Sequence, residues 1–249
     1  MAELAKRQNP DQATSRNIWP GSTEKTPHET KGASSGHRGY IIVTMMPIIE
    51  VVWRHLLVSA RNGQRQWSSV TALADDLGLA TSTTHRLLAH PIEIGAVEVS
   101  SIDGLVVLDP ARLLILLAAH RHVQRDLVLR SWVALPTAGV EAAATSQKVI
   151  LGGFGAVVAH LGMNRIADYS RVLFYGDPKL PPGIVCPEGE GTEVWVVEQD
   201  AWMSRYGRVT PLVQAYADLF SMPGWQAARF IEHLDPKMVV ASDEPILLV

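Results

Sequence analysis

A chain of 249 residues, 47% apolar and with a formal net charge of −3, has the size and composition for two modest folded domains plus a tail. Its pI of about 6.3 excludes a protein that coats nucleic acid through bulk positive charge, so any DNA contact has to come from local basic residues. One cysteine, Cys186, excludes an internal disulfide, and the longest aliphatic stretch, Leu105 to Ala119, is too short and too interrupted by Asp109, Pro110 and Arg112 to span a bilayer.

Residues 1 to about 39 are polar and nearly devoid of aliphatic side chains, and a disordered tail is expected over 1–45. Met45 and Met46 stand just before the first periodic segment, so an internal translation start and a genuine flexible arm are both open. With no apolar leader in the tail, the protein is expected to be cytoplasmic. From Ile48 the pattern is helical, with Ile48, Val51, Val52, His55, Leu56 and Ser59 on one face until Asn62-Gly63. A second helix is predicted from about Ser69 to Leu77, with Val70, Leu73, Ala74 and Leu77 inward. Gly78 makes the turn, and Thr81 or Ser82 caps a third helix reaching about His90. Two alternating runs, Ala96 to Ser100 and Leu105 to Leu108, flank Asp103-Gly104, a hairpin turn signal. Helix, helix, turn, helix, hairpin is the order of a winged helix-turn-helix, expected over 46–135 together with a long trailing helix from Pro110 to Ala134.

The second part, 136–249, opens on a loop at "PTAG" (Pro136 to Gly139) and alternates strand and helix signals. Strands are expected at Lys148 to Leu151, Arg171 to Tyr175 and Glu193 to Glu198, and helices at Phe154 to Leu161, Thr210 to Phe220 and Trp225 to Leu234. The fold class is therefore α+β: an N-terminal winged helix-turn-helix followed by a small mixed α/β domain.

The third helix carries the functional reading. A DNA-reading helix needs an apolar side to root it and short polar or cationic groups on the other side. Thr84, Leu87 and Leu88 take the inward positions, leaving Thr81, Ser82, Thr83, His85 and Arg86 exposed at the helix start. Arg86 can bond guanine in bidentate fashion, and the hydroxyls serve phosphates or bases. Arg61 and Arg65 in the preceding loop are candidate phosphate clamps, and Ser101 is the candidate contact on the hairpin. The stretch "GL…ST.HRLL" at Gly78 to Leu88 resembles the helix-turn-helix of IclR-type regulators. It departs from that pattern at Pro91, which blocks an intrahelical hydrogen bond and predicts a shortened recognition helix. Arginines between Pro47 and Leu135 are matched by as many carboxylates, so binding is expected to be modest and salt-sensitive.

Enzymatic patterns in the second part are incomplete. Lys148 to Gly162 places a strand before Gly153-Phe154-Gly155 and a helix, with Asp177 after the next strand, as in a dinucleotide-binding turn; Val158 at the third glycine position argues against it. The acid-x-Lys matches Asp177-Pro178-Lys179 and Asp235-Pro236-Lys237 contain proline and sit in turns, unlike strand-borne nuclease motifs. His120 and His122, two apart, face different sides of a helix, and Cys186 has no evident base. No catalytic residue, cofactor or metal is expected.

The order "VILGGFGAVVAHLG", "RVLFYGD", "EVWVVE" and "TPLVQAYADLFSMPGWQAARFIEHL", spanning most of Val149 to Leu234, resembles the C-terminal domain of AbiEi-like antitoxins of bacterial type IV toxin–antitoxin systems. The final signature falls on Gln214, Asp218, Leu219, Pro223 and Gly224. That resemblance implies a non-enzymatic protein that binds double-stranded DNA at its own promoter and counters a nucleotidyltransferase-type toxin. A stand-alone regulator sensing a small molecule and an enzyme with a winged-helix appendage are the alternatives, and the oligomeric state is open.

Overall fold

The structure, a computed structural model, describes residues 48–145, 148–162, 166–176 and 184–241. The expected tail, the alternative start at Met45 or Met46, and Asp177 through Lys179 lie outside these residues.

The first helix, α1 (Ile48–Arg61), is buried on nearly every side instead of along one stripe. Val51, Trp53, Leu56 and Leu57 are joined inside by Glu50 and Arg54, both fully covered. The helix α2 (Val70–Leu77) buries its four predicted apolar residues, and Ser69 caps it by accepting from the Ala72 N–H at 3.1 Å. Gly78 closes α2 in the left-handed region at φ 64°, where glycine has no Cβ to strain. The cap of the helix α3 (Thr81–Leu87) lies one residue before the earlier of its two predicted positions. Ala80 is the N-cap, its carbonyl accepting from the Thr83 and Thr84 N–H groups, so Thr81 and Ser82 sit inside the first turn and cap nothing.

After Leu88 the short helix α4 (Ala89–Glu93) leads into the hairpin β2 (Val97–Ser100) and β3 (Gly104–Val107), paired antiparallel with Val97 opposite Val107. A third strand that periodicity did not reveal, β1 (Gln66–Trp67), pairs with β3 on its other side. Gly104 is required there: at φ 73° a Cβ would run into the Trp67 carbonyl oxygen.

The helix α5 (Pro110–His120) is capped by Asp109, which accepts from the Arg112 N–H at 2.9 Å. It does not continue to Ala134. Arg121 is extended, the chain turns over His122–Asp126, and Leu127–Val133 form the strand β4. Two forces end the helix. Arg121 is drawn into a buried carboxylate cluster, with Asp126 closing on it at 2.6 Å, and the following "LVLRSWV" is rich in β-branched and aromatic residues that suit a pleated strand. The "PTAG" loop is likewise a helix start, α6 (Thr137–Thr145).

The remaining elements are β5 (Ile150–Gly152), α7 (Gly153–His160), β6 (Arg171–Tyr175), β7 (Thr192–Val197), a 3-10 turn over Met203–Tyr206, α8 (Leu212–Ser221), α9 (Trp225–His233) and α10 (Pro236–Val239). The second sheet has the order β4-β7-β6-β5, with β6 and β7 parallel and the outer pairs antiparallel. Because β5 runs antiparallel to β6, the Gly153–Gly155 turn does not open the parallel βαβ unit of a dinucleotide site. Those glycines serve packing, since a Cβ on Gly155 would press on Leu151 and Glu141.

The fold is α+β, a three-stranded winged helix-turn-helix followed by a mixed α/β part. One hydrophobic core runs through both, from Leu56, Leu73 and Leu105 to Leu173, Val213 and Phe230. The centre of the second part is α8, buried from Leu212 to Leu219 and packed on α1, α5 and α7.

Candidate nucleic-acid interface

The recognition helix is rooted by Thr84 and Leu88, both fully buried, with Leu87 half-buried beside them. Pro91 lacks the N–H that would bond the Leu87 carbonyl four residues earlier, and that carbonyl accepts instead from the Trp53 indole N–H at 2.8 Å. α3 therefore ends at Leu87, and Pro91 sits in the first turn of α4, where its missing donor costs nothing. The shortened helix expected from Pro91 is observed, and Trp53 stabilises its last carbonyl.

Ser82, His85 and Arg86 project from α3 into solvent, and Thr81 and Thr83 are half-exposed. These five share the one short helix; among the described residues, Arg86 Nη2 reaches the Thr83 hydroxyl, at 3.4 Å. Arg65 is exposed at the foot of the wing, where its carbonyl accepts from the Val107 N–H. Arg65 and Arg86 make no ion pair with any described residue. Arg61 has a different setting. It is half-buried and donates to the Val239 carbonyl at 2.6 Å, which ties α1 to α10.

Ser101 is exposed in the wing turn, next to Ile102 at 91% exposure. The turn is braced: the Asp103 N–H bonds Ser100 Oγ at 2.8 Å and Gln66 Nε2 bonds the Asp103 carbonyl at 2.8 Å. Nearby, Arg112 is paired with Asp109 at 3.5 Å, and His90 Nδ1 lies 3.3 Å from Glu93. The cationic character of the reader thus comes down to a few side chains.

Two arginines of the N-terminal part face inward, and sequence reasoning counted them only as charge. Arg54 Nη2 donates to both carboxylate oxygens of Asp200, at 2.8 and 2.9 Å, and Nη1 donates to Gln214 Oε1 at 3.2 Å. Arg121 meets Asp126 at 2.6 Å, Asp218 at 3.0 Å and Glu50 at 3.4 Å. The Tyr175 hydroxyl donates to Asp218 at 2.6 Å, and Gln214 Nε2 donates to both. Burial alone would lower the Arg121 guanidinium, but Tyr175, Asp218 and Glu50 around it raise it above its ordinary value, so it stays charged. Burial pushes the Asp218 carboxyl above the usual range, against the pull of Arg121.

Gln214 and Asp218, one turn apart on α8, are thus the groups that lock the second part onto α1 and α5. The available signal was "IIEVVWRHLLV", in which Glu50 and Arg54 interrupt an otherwise apolar helix at a spacing of four. Of the two histidines near this junction, His120 packs edge-on against Trp53 and faces Glu50, while His122 is exposed past the helix end.

Residues 60–101 match the family model of the IclR helix-turn-helix domain, from the end of α1 to the first residue of the wing turn. The matched segment contains all the exposed candidate contacts above, and it identifies a DNA-binding helix-turn-helix that suggests a transcriptional regulator. No curated protein and no solved structure matches the chain. Among the described residues, no helix is long and apolar enough to cross a membrane.

Proposed function

We propose that this chain is a cytoplasmic, DNA-binding repressor of its own promoter that also acts as the antitoxin of a type IV toxin–antitoxin pair. The single observation that carries the DNA reading is α3: a seven-residue helix rooted by Thr84 and Leu88 that presents Ser82, Thr83, His85 and Arg86 outward. Arg86 is assigned to a guanine edge in the major groove. Thr81, Ser82 and Thr83 are assigned to phosphates or base edges at the helix start, with His85 beside them. Arg65 and Ser101 flank the helix as phosphate contacts from the foot and the turn of the wing. Arg61, tied to Val239, reaches DNA only if it exchanges that bond for a phosphate.

The antitoxin half of the reading rests on the resemblance of Val149 to Leu234 to AbiEi-like proteins. DNA reading belongs to 46–135 and toxin neutralisation to 136–249, with a nucleotidyltransferase-type toxin as the partner. Mobility-shift titration of the full chain on its own promoter fragment and on an unrelated duplex tests the first half. A promoter preference that weakens steeply with salt is expected, and equal, salt-insensitive binding to both would refute it. Co-expression with the neighbouring gene product tests the second: growth rescue is expected, and persistent growth arrest would refute it.

A further inference from the structure

The carboxyl end of α2 is where the two parts of the chain meet in an unusual way. An α-helix leaves its last four carbonyls without intrahelical donors. Here the accounting closes in two halves. The Gly78 N–H bonds the Asp75 carbonyl at 3.1 Å and the Leu79 N–H bonds that of Ala74 at 2.9 Å, the usual glycine-terminated pattern. The other two carbonyls are met from far along the chain. The Trp202 indole N–H donates to the Leu77 carbonyl at 3.0 Å, and Arg205 Nη1 donates to that of Asp76 at 3.3 Å.

Both donors belong to the 3-10 turn region that follows β7, and that region is held rigidly. Asp200 Oδ1 accepts from the Trp202 and Met203 backbone N–H groups, each at 2.9 Å, while the carboxylate is clamped by Arg54 of α1. Arg54 is fully buried and Asp200 is nearly so. A continuous chain of short contacts therefore runs from α1 through Asp200 to the end of α2. Only the three residues Gly78 to Ala80 separate that end from the start of α3.

We infer that Trp202 and Arg205 are positioning residues for DNA reading: they cap α2 from the second part and thereby set the Gly78–Ala80 turn that aims the recognition helix. The reader is then not complete within its own 60–101 segment. The second part supplies half of the carboxyl-terminal cap of the helix that precedes α3, and a change in the 3-10 turn reaches the end of α2 directly, through the Leu77 and Asp76 carbonyls. The inference rests on the DNA-binding reading for its consequence, but the capping itself can be measured without DNA.

The test uses the full chain with Trp202→Phe, which keeps an aromatic ring in place and removes the N–H. Amide exchange over Gly78 to Thr84 should quicken. Affinity for the chain's own promoter fragment should fall by about three- to tenfold, the scale of one lost hydrogen bond. Binding to an unrelated duplex and the salt slope should stay as they are, because no phosphate contact is removed. A general packing role would instead lower the urea midpoint and leave promoter discrimination intact.

Should Trp202→Phe fail to fold, the exposed Arg205→Met removes the donor of the neighbouring cap and is read in the same two ways. Unchanged exchange at Gly78 to Thr84, or unchanged promoter affinity, overturns the inference. If the unaltered protein shows no promoter preference, it is the functional reading that falls, and the exchange data alone decide whether the cap exists.

Discussion

The exposed face of α3 and the buried face of α1 use arginine in opposite ways. On α3, Arg86 stands in solvent with no carboxylate partner among the described residues, and Arg65 does the same at the foot of the wing. On the inner side, Arg54 and Arg121 are sealed among Glu50, Asp126, Asp200 and Asp218. A guanidinium left free at the surface is available to a phosphate or a guanine edge. One that is buried in a closed ring of carboxylates is available to nothing, and its removal strands several charges at once. The difference explains how a chain of net charge −3 presents a cationic reading helix. Its charge is sorted by burial, and the counterions of the inner arginines are hidden with them.

The sharpest way to break this contrast is Arg121→Met. Glu50, Asp126 and Asp218 would lose their common cation, and a loss of about 3–5 kcal/mol is expected in urea unfolding. A loss below about 1 kcal/mol would mean that the buried cluster contributes little to stability. Next in size is Arg86→Ala. It should weaken promoter binding by about 1–3 kcal/mol, roughly five- to 150-fold, while leaving unfolding stability within about 0.5 kcal/mol. Promoter binding that does not change would take Arg86 off the DNA. Arg65→Ala should act more evenly, lowering affinity for promoter and unrelated DNA alike and reducing the salt slope by about one. A sequence-dependent effect would make Arg65 a base contact instead.

Glu193 is the intermediate case and gives the smallest expected effect. It bridges Arg130 at 2.6 Å and Arg171 at 2.7 Å and accepts from the Trp195 indole at 2.8 Å. Burial works to raise its carboxyl, but the Trp195 N–H and the two guanidinium groups outweigh it and hold it below the ordinary glutamate value of 4.5. The folded state therefore keeps this carboxylate ionised to lower pH than the unfolded chain does. Its contribution is complete at neutral pH and is lost as the pH falls through 4.5 and then through the lower folded value. Glu193→Gln should flatten the acid side of the stability profile and converge with the unaltered protein at low pH. An unchanged profile would show that the bridge is screened by solvent.

Much of the reader was legible in the sequence because its signals are local. Ser69 before an apolar run, Gly78 after it and Asp103-Gly104 between alternating runs specify caps and turns through groups a few residues apart, and the helix α2 and the hairpin follow them closely. The long trailing helix failed for the opposite reason. Leu113, Leu114 and Leu117 continue a helical pattern toward Leu127 and Val128. What stops it is Arg121 meeting Glu50 and Asp218, residues 71 and 97 positions away. The strand β1 was missed because two residues carry no period, and it exists only because β3 offers a free edge.

By itself the sequence determined the winged-helix order, the face of α3 that turns outward, and the break that Pro91 imposes on it. These depend on periodicity, capping and a missing N–H, all of which act within a turn or two. Tertiary structure alone decided which arginines are free, that Trp53 would take the carbonyl Pro91 leaves open, and that α2 would be capped from Trp202 and Arg205. Each of these is a polar group satisfied across a large separation in the chain. Burial in a low-dielectric interior makes such pairing obligatory, and only the folded chain specifies the partner.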